Sequence, residues 1–361
     1  MKYPLVKMYV DDEIKRKALE ILESGKYIKG PESKAFEKEF AGYIDAKYAV
    51  STSSGTTALW LIYDALGIKN GAEFIAPSHT FIATVTPAVH MGAKPIFADI
   101  DENTYTLDPD DVKRKITEKT KAIVVVHLYG HPVDIKPLLE IAEEHDLYFI
   151  EDCAQAHGAL YHNKKVGNFG IASAFSFFPS KVMTVAGDGG MVVTNDEELA
   201  EKIGTLRDQG RIKKYEHIML GYNFRLSEIL AGVGRIQLKH LEDWIKRRNE
   251  IAKIYNEILE DVVVTPTVKD WARHVYYVYT IRAKMRDKLR EYLHSQGIAT
   301  GLYYPIPVHL QPCIKERFPP TKLPITEKIV DEILSIPMHP QLSDEDAMFI
   351  ANKIREFYRG V

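Results

Sequence analysis

The chain has 361 residues, 45% of them hydrophobic and 27% charged, with a formal net charge of -3. That composition describes a folded chain with apolar mass for one large core and a smaller one, and the charge excludes nucleic-acid binding driven by net electrostatics. Two cysteines, Cys153 and Cys313, give neither a disulfide framework nor a metal cluster and fit a reducing compartment. The first fifteen residues turn acidic by Asp11 and hold no long apolar run, and no later stretch approaches a membrane span. A cytoplasmic protein with no signal peptide and no membrane partner is therefore expected.

Short apolar runs alternate with helical patterns from about residue 48 to 195. Tyr48–Val50, Phe74–Ala76, Pro95–Phe97, Ala122–Val126, Leu147–Ile150, Ala174–Phe177 and Met191–Thr194 are predicted strands. Thr57–Leu66, Phe81–Met91 and Ile135–His145 are predicted helices between them. The alternation predicts an α/β fold with a mostly parallel sheet and helices on both faces. Little helix separates the last two strands, which a purely doubly wound dinucleotide fold would not show. Residues 226–258 keep helical spacing through Leu226, Ile229, Leu230, Val233, Ile236, Leu241, Trp244 and Ile251, predicting one long helix between two lobes. Beyond it lie an aromatic strand at His274–Thr280, a helix near Arg286–Gln296, a proline-rich stretch at Tyr304–Pro312 and a terminal helix after Ser343. The expected division is a large domain over residues 1–240 and a small α+β domain over 241–361, on which the N-terminal segment can pack.

Four segments carry chemistry. The first strand runs into Ser53-Ser54-Gly55-Thr56-Thr57, where free backbone N–H groups at a helix start offer either an anion site, most naturally for phosphate, or an ordinary Ser/Thr cap. No GxGxxG follows, so a nicotinamide dinucleotide is disfavoured. Thr80-Phe81 places an aromatic after the next strand, as a ring stacker or as core. Glu151-Asp152-Cys153-Ala154-Gln155-Ala156-His157 follows a strand whose carboxyl end faces the crevice of such sheets. A buried Asp152 needs a cation, and a protonated pyridine nitrogen would serve; a helix cap is its other use. His157 reads as a hydrogen-bonded structural histidine. Phe175-Ser176-Phe177-Phe178-Pro179-Ser180-Lys181 ends on a lysine between apolar segments and is closed by Gly187-Asp188-Gly189-Gly190. A lysine held in apolar surroundings loses charge and becomes an amine nucleophile, unless it merely snorkels to water. Phosphate cradle, ring stacker, acid and amine together match one cofactor, pyridoxal 5'-phosphate.

Taken with Gly25-Lys26-Tyr27-Ile28-Lys29-Gly30-Pro31, Pro77–Thr84, His127-Leu128-Tyr129-Gly130, Gly221–Leu226 and Tyr303-Tyr304-Pro305, these segments resemble the DegT/DnrJ/EryC1/StrS family of sugar aminotransferases over nearly the whole length. The resemblance implies a fold type I (aspartate aminotransferase-like) large domain with a mostly parallel seven-stranded sheet, acting as a homodimer with shared active sites. It implies Lys181 as the attachment lysine that also shuttles the proton, Asp152 at the pyridine nitrogen and Gln155 at the ring oxygen. Gly55, Thr56 and Ser176 would hold the phosphate, Phe81 would stack on the ring, and Asn223 would reach the phosphate from the other subunit. Arg225 is implied for a substrate carboxylate or phosphate, with an interface ion pair as its alternative. Tyr303 and Tyr304 would touch the sugar across the dimer. The implied substrates are glutamate and a nucleotide-linked keto-hexose, within nucleotide-sugar, surface-polysaccharide or glycan biosynthesis. Gln155 with the Gly-Asp-Gly-Gly turn resembles members acting at a 3-keto group; 4-keto-sugar and keto-cyclitol aminotransferases stand as alternatives. A dehydratase of the same family would carry histidine in place of Lys181, and a regulatory homologue would not need the full set of cofactor groups.

Overall fold

Seven strands form the central sheet of the computed structural model, which describes residues 1–360. They are β1 (Tyr48–Thr52), β2 (Glu73–Pro77), β3 (Lys94–Ala98), β4 (Thr120–Val126), β5 (Tyr148–Asp152), β6 (Ala172–Ser176) and β7 (Gly190–Thr194). Their spatial order is β1-β7-β6-β5-β4-β2-β3. The pairs from β6 through β5, β4 and β2 to β3 are parallel, whereas β7 runs antiparallel to both β6 and β1. Six carboxyl ends therefore share one edge, and β7 starts from that edge.

Side chains of successive strand residues feed opposite faces. Ile123, Val125 and Phe149 join one apolar cluster, and Ala122, Val124 and Ile150 join another across the sheet. Burial on both faces explains why β4 reads as a nearly unbroken apolar run rather than an alternating one.

Helices α1 (Asp12–Ser24), α2 (Pro31–Ile44), α3 (Gly55–Ala65), α4 (Ile135–Glu144) and α5 (Glu197–Arg207) flank the strands in sequence. Helix α6 (Glu228–Leu259) is 32 residues long and capped by Ser227, close to the predicted span. It leads to a third apolar cluster that gathers Ile251, Tyr255, Tyr279, Leu289, Ile336 and Ile350. Tyr3 joins this cluster and forms a bridge to Ile298. Helices α7 (Arg286–Ser295) and α8 (Asp344–Arg359) cover a two-stranded sheet of β8 (Tyr279–Arg282) and β9 (Ile333–Ile336). Among the described residues no helix is long and apolar enough to cross a membrane.

Two elements depart from the prediction. The helix expected at Phe81–Met91 is broken into a 3-10 turn, Ile82–Thr84, and a short helix, Thr86–His90. Pro87 has no N–H to donate, and in a continuous helix its ring would clash with the preceding turn. The strand expected at His274–Thr280 begins only at Tyr279, because Tyr276 sits at φ 46° and breaks the extended run. Residues 275–277 bond elsewhere: Val275 N donates to Gly130 O (3.0 Å) and Tyr277 N donates to Tyr129 O (2.9 Å).

Candidate active site

The carboxyl ends of β1, β5 and β6 border a cleft of about 360 Å³. Gly55, Thr56, Phe81, Asp152, Gln155, Ser176, Lys181, Tyr303 and Tyr304 all line it. Positions up to 250 residues apart in sequence thus meet at one edge of the sheet, where open α/β sheets bind ligands.

The register of β7 builds one wall. Gly190 lies opposite Thr52 on β1 and Ser176 on β6, so it sits between the two carboxyl ends. A Cβ at Gly190 would lie 2.3 Å from Ser54 O and 2.7 Å from Gly55 N. A Cβ at Gly55 would fall 2.7 Å from Ser176 Cβ. Bare backbone at both positions lets the start of α3 approach Ser176 closely. Ser54 caps α3, accepting from Thr57 N (3.1 Å), and Thr57 Oγ1 accepts from Ser54 N (2.9 Å). The cap reading of this segment is therefore met by Ser54 and Thr57, while Gly55 and Thr56 face the cleft. The first N–H groups of a helix lack intrahelical acceptors and carry its positive end, so these two suit an anion.

Asp152 ends β5 and is buried. Its Oδ2 accepts from Thr84 Oγ1 (2.7 Å) and its Oδ1 from Ala154 N (3.1 Å). It caps no helix, because residues 153–159 form turns. Burial pushes its pKa up, and the Thr84 and Ala154 hydrogen bonds and the Lys181 charge offset only part of that. Among the described residues no cation contacts the carboxylate, and a protonated pyridine nitrogen would supply one. Gln155 is oriented from both ends: its Oε1 accepts from Tyr129 N (2.7 Å) and its Nε2 donates to Tyr304 OH (3.0 Å).

Lys181 lies in the loop between β6 and β7. Burial lowers its pKa to about 8, against the opposing pull of the Asp152 charge. The amine lies 4.6 Å from the centroid of the Tyr277 ring. Phe81 is half exposed at the mouth, its ring 5.6 Å from that of Tyr304. Tyr303 and Tyr304, implied to act across a dimer, lie in the chain's own cleft, and Tyr129 OH donates to the Tyr303 carbonyl.

Asn223 and Arg225 are not in this cleft. Arg225 donates to Asp208 Oδ1 (2.9 Å) and to Asn223 Oδ1 (2.6 Å). Lys29 and Arg211 bind the same carboxylate, and against the upward push of burial these two cations hold Asp208 down at about 2. Beside them Ile212, Tyr215, Ile218 and Leu220 are exposed.

Several residues of the site had no role readable from their local sequence. Thr84, Tyr129 and Tyr277 act through contacts with residues at least 26 positions away. His157, expected to be hydrogen-bonded, lies between Phe175 and Phe177 with no well-aligned partner at either ring nitrogen. Its pKa falls to about 3 through burial, with the Lys181 charge adding to that and the Ser176 backbone offsetting a little. Glu151, His127 and Cys153 form a buried group of metal-ligand types. Glu151 already accepts from Gly167 N, Phe169 N, Gly170 N and His127 Nε2, so it serves as a structural anchor under the crevice.

An open helix start, a buried acid and a neutralisable amine at one end of such a sheet fit a phosphorylated pyridine aldehyde, the cofactor chemistry on which aminotransferases run. The chain belongs to the DegT/DnrJ/EryC1/StrS aminotransferase family, whose model matches residues 8–355. Pyridoxal phosphate is typical of that family. Among its relatives, a pleiotropic regulatory protein of Geobacillus stearothermophilus is 44% identical, over 96% of this chain and 95% of its own. The dTDP-3-amino-3,6-dideoxy-alpha-D-galactopyranose transaminase of Aneurinibacillus thermoaerophilus is 42% identical, over 98% and 97%. The crystal structure of S. venezuelae DesV in complex with a ketimine intermediate superposes with a TM-score of 0.97, at 40% identity over 99% of both chains.

Proposed function

We propose that the protein is a cytoplasmic, homodimeric pyridoxal-phosphate enzyme that moves the amino group of glutamate to C-3 of a nucleotide-linked keto-hexose. The observation that carries this is the meeting of Lys181, Asp152 and the Gly55-Thr56 helix start in one cleft. Relatives named for 3-amino sugar products support the sugar and the position, as does the occurrence of Gln155 together with the Gly187-Asp188-Gly189-Gly190 turn. The complete set of cofactor-type residues argues against a purely regulatory role, whatever the name of the Geobacillus relative.

Bound pyridoxal phosphate supplies an aldehyde for amino exchange and a ring that withdraws electrons. The Gly55 and Thr56 N–H groups and Ser176 Oγ would hold its phosphate. Asp152 would keep the pyridine nitrogen protonated, Gln155 Nε2 would donate to the ring oxygen, and Phe81 would cover the ring. Lys181 Nζ would take up the substrate proton and return it. Tyr303 and Tyr304 would bound the sugar, and Asn223 and Arg225 would reach the cleft of the second subunit. The exposed apolar side chains of Ile212, Tyr215, Ile218 and Leu220 beside them support such a contact. The large, cofactor-binding domain would span residues 1–240 and the small domain, which brings Tyr277, Tyr303 and Tyr304 to the cleft, residues 241–361, the boundary falling inside α6.

Incubation with glutamate and a panel of nucleotide-linked 3-keto and 4-keto hexoses, read by mass spectrometry, tests this. The 3-keto compounds should gain an amino group. Amination of 4-keto compounds alone would overturn the position, and amination of none would overturn the substrate class.

A further inference from the structure

Tyr277 has no role in the assignments above, yet it lines the cleft while only 2% exposed. The Lys181 amine stands over its ring, 4.6 Å from the centroid. Its hydroxyl lies 3.0 Å from Ser180 Oγ, on the residue just before the lysine. Its backbone is held on two sides. Tyr277 N donates to Tyr129 O (2.9 Å), and Arg248 Nη1 on α6 donates to the carbonyls of Tyr276 (2.9 Å) and Tyr277 (3.4 Å). Arg248 is also 2% exposed, and its other recorded acceptor is the Met338 carbonyl (3.0 Å). A buried guanidinium spent on carbonyls fixes the ring in place.

An ammonium in this cleft has lost most of its water. Asp152 on β5 is the acid whose charge favours it; Asp188 lines the same cleft from the exposed turn. His157 is neutral, and Tyr303 and Tyr304 are uncharged phenols with pKa values raised by burial. The negative face of an aromatic ring attracts a cation within about 6 Å, and more so when the cation is desolvated. We propose that Tyr277 is a positioning residue whose ring face holds Lys181 in its ammonium form, the state in which Nζ carries the proton between uptake and return. The catalytic part of this rests on the function proposed above; the ring–ammonium contact does not.

The test titrates the amine in the full chain freed of cofactor. An amine-selective reagent is applied across a pH series, and modification of the Lys181 peptide is read by mass spectrometry. Burial and Asp152 by themselves place the amine at about 8, so with the ring's attraction added the unsubstituted chain should be half reactive somewhat above that pH. Tyr277→Leu should lower that midpoint by roughly half to one pH unit. Tyr277→Phe, which keeps the ring, should leave it within about 0.2 unit, because the attraction comes from the ring face. Replacement of Tyr277 by fluorinated phenylalanines of rising fluorine content preserves shape and should lower the midpoint stepwise, so the test survives a poorly folding leucine variant. An unchanged midpoint across the fluorinated series would overturn the proposal. So would an equal drop in Tyr277→Phe, which would assign the effect to the hydroxyl. A chain that shows the shifts but never takes up pyridoxal phosphate would refute the proposed function and leave this contact standing.

Discussion

Asp152 is buried on two hydrogen bonds with no cation in contact among the described residues, and Lys181 is an amine drawn down toward neutrality in the same cleft. Each is costly alone; a protonated pyridine nitrogen would give Asp152 its cation, and an aldehyde on the same ring would take the Lys181 amine as its partner. Thr84→Val would leave Asp152 Oδ2 without its donor, costing about 1–3 kcal/mol. It would also push the Asp152 pKa further up, so the acid limb of the pH–rate profile should move to higher pH. Urea denaturation and rate profiles check the two halves. Lys181→Ala should lower turnover by at least about a thousandfold, since proton transfer of this kind contributes 10²- to 10⁴-fold and the attachment point is lost as well. The same variant should retain the unfolding midpoint. Asp152 and Lys181 were legible in the sequence because each breaks a local pattern: an acid ending an apolar strand and a cation beside one. Thr84 and Tyr129 stood in segments that carry the resemblance and Tyr277 in an aromatic run, but their roles were not legible, because hydroxyls and aromatics carry no pattern until their distant partners are placed.

At the scale of elements, the start of α3 depends on a lack of side chains at two glycines. Gly190→Ala would place a methyl against the Ser54 carbonyl and the Gly55 nitrogen, neither of which can swing aside. The variant should lose about 1–3 kcal/mol of stability or more, and cofactor affinity with it. Thermal unfolding and absorbance titration with pyridoxal phosphate measure these. The Gly30-Pro31 pair of the N-terminal motif has a comparable structural reason. A Cβ at Gly30 would lie 2.5 Å from Glu228 Oε2, whose carboxylate accepts from Glu32 N (2.7 Å) and Ser33 N (3.2 Å) at the start of α2. All seven strands were legible from their apolar runs, with ends shifted by a residue or two. The helix at residues 81–91 was misread because its apolar spacing continues through Pro87, and the aromatic run at 274–280 because Tyr276 turns the backbone where no glycine or proline marks it.

At the scale of the molecule, two apolar clusters sandwich the sheet and a third lies beyond α6. Buried histidines make this assembly sensitive to acid. Burial lowers His79, His131 and His339 to about 4 and His157 to about 3. Unfolded, each would bind a proton near pH 6.5; folded, each resists protonation down to those values. The unfolded state thus binds more protons throughout that window, so stability is full above about pH 6.5 and falls toward pH 4, by up to about 1.4 kcal/mol per unit for each histidine. Urea midpoints at pH 7.5, 6 and 5 should decline in that order. The exposed strip at Ile212–Leu220 gives a second prediction at this scale. Ile218→Asp with Leu220→Asp should convert a dimer in sedimentation velocity to a monomer of 41.1 kDa, and a sedimentation profile unchanged from the parent would remove that strip from the interface.

The proposed function requires a covalent link between the amine at position 181 and pyridoxal phosphate. Borohydride reduction of the cofactor-loaded chain, followed by peptide mapping, should find a single phosphopyridoxyl group, on Lys181. A label on another lysine, or no label on a folded chain saturated with the cofactor, would contradict it.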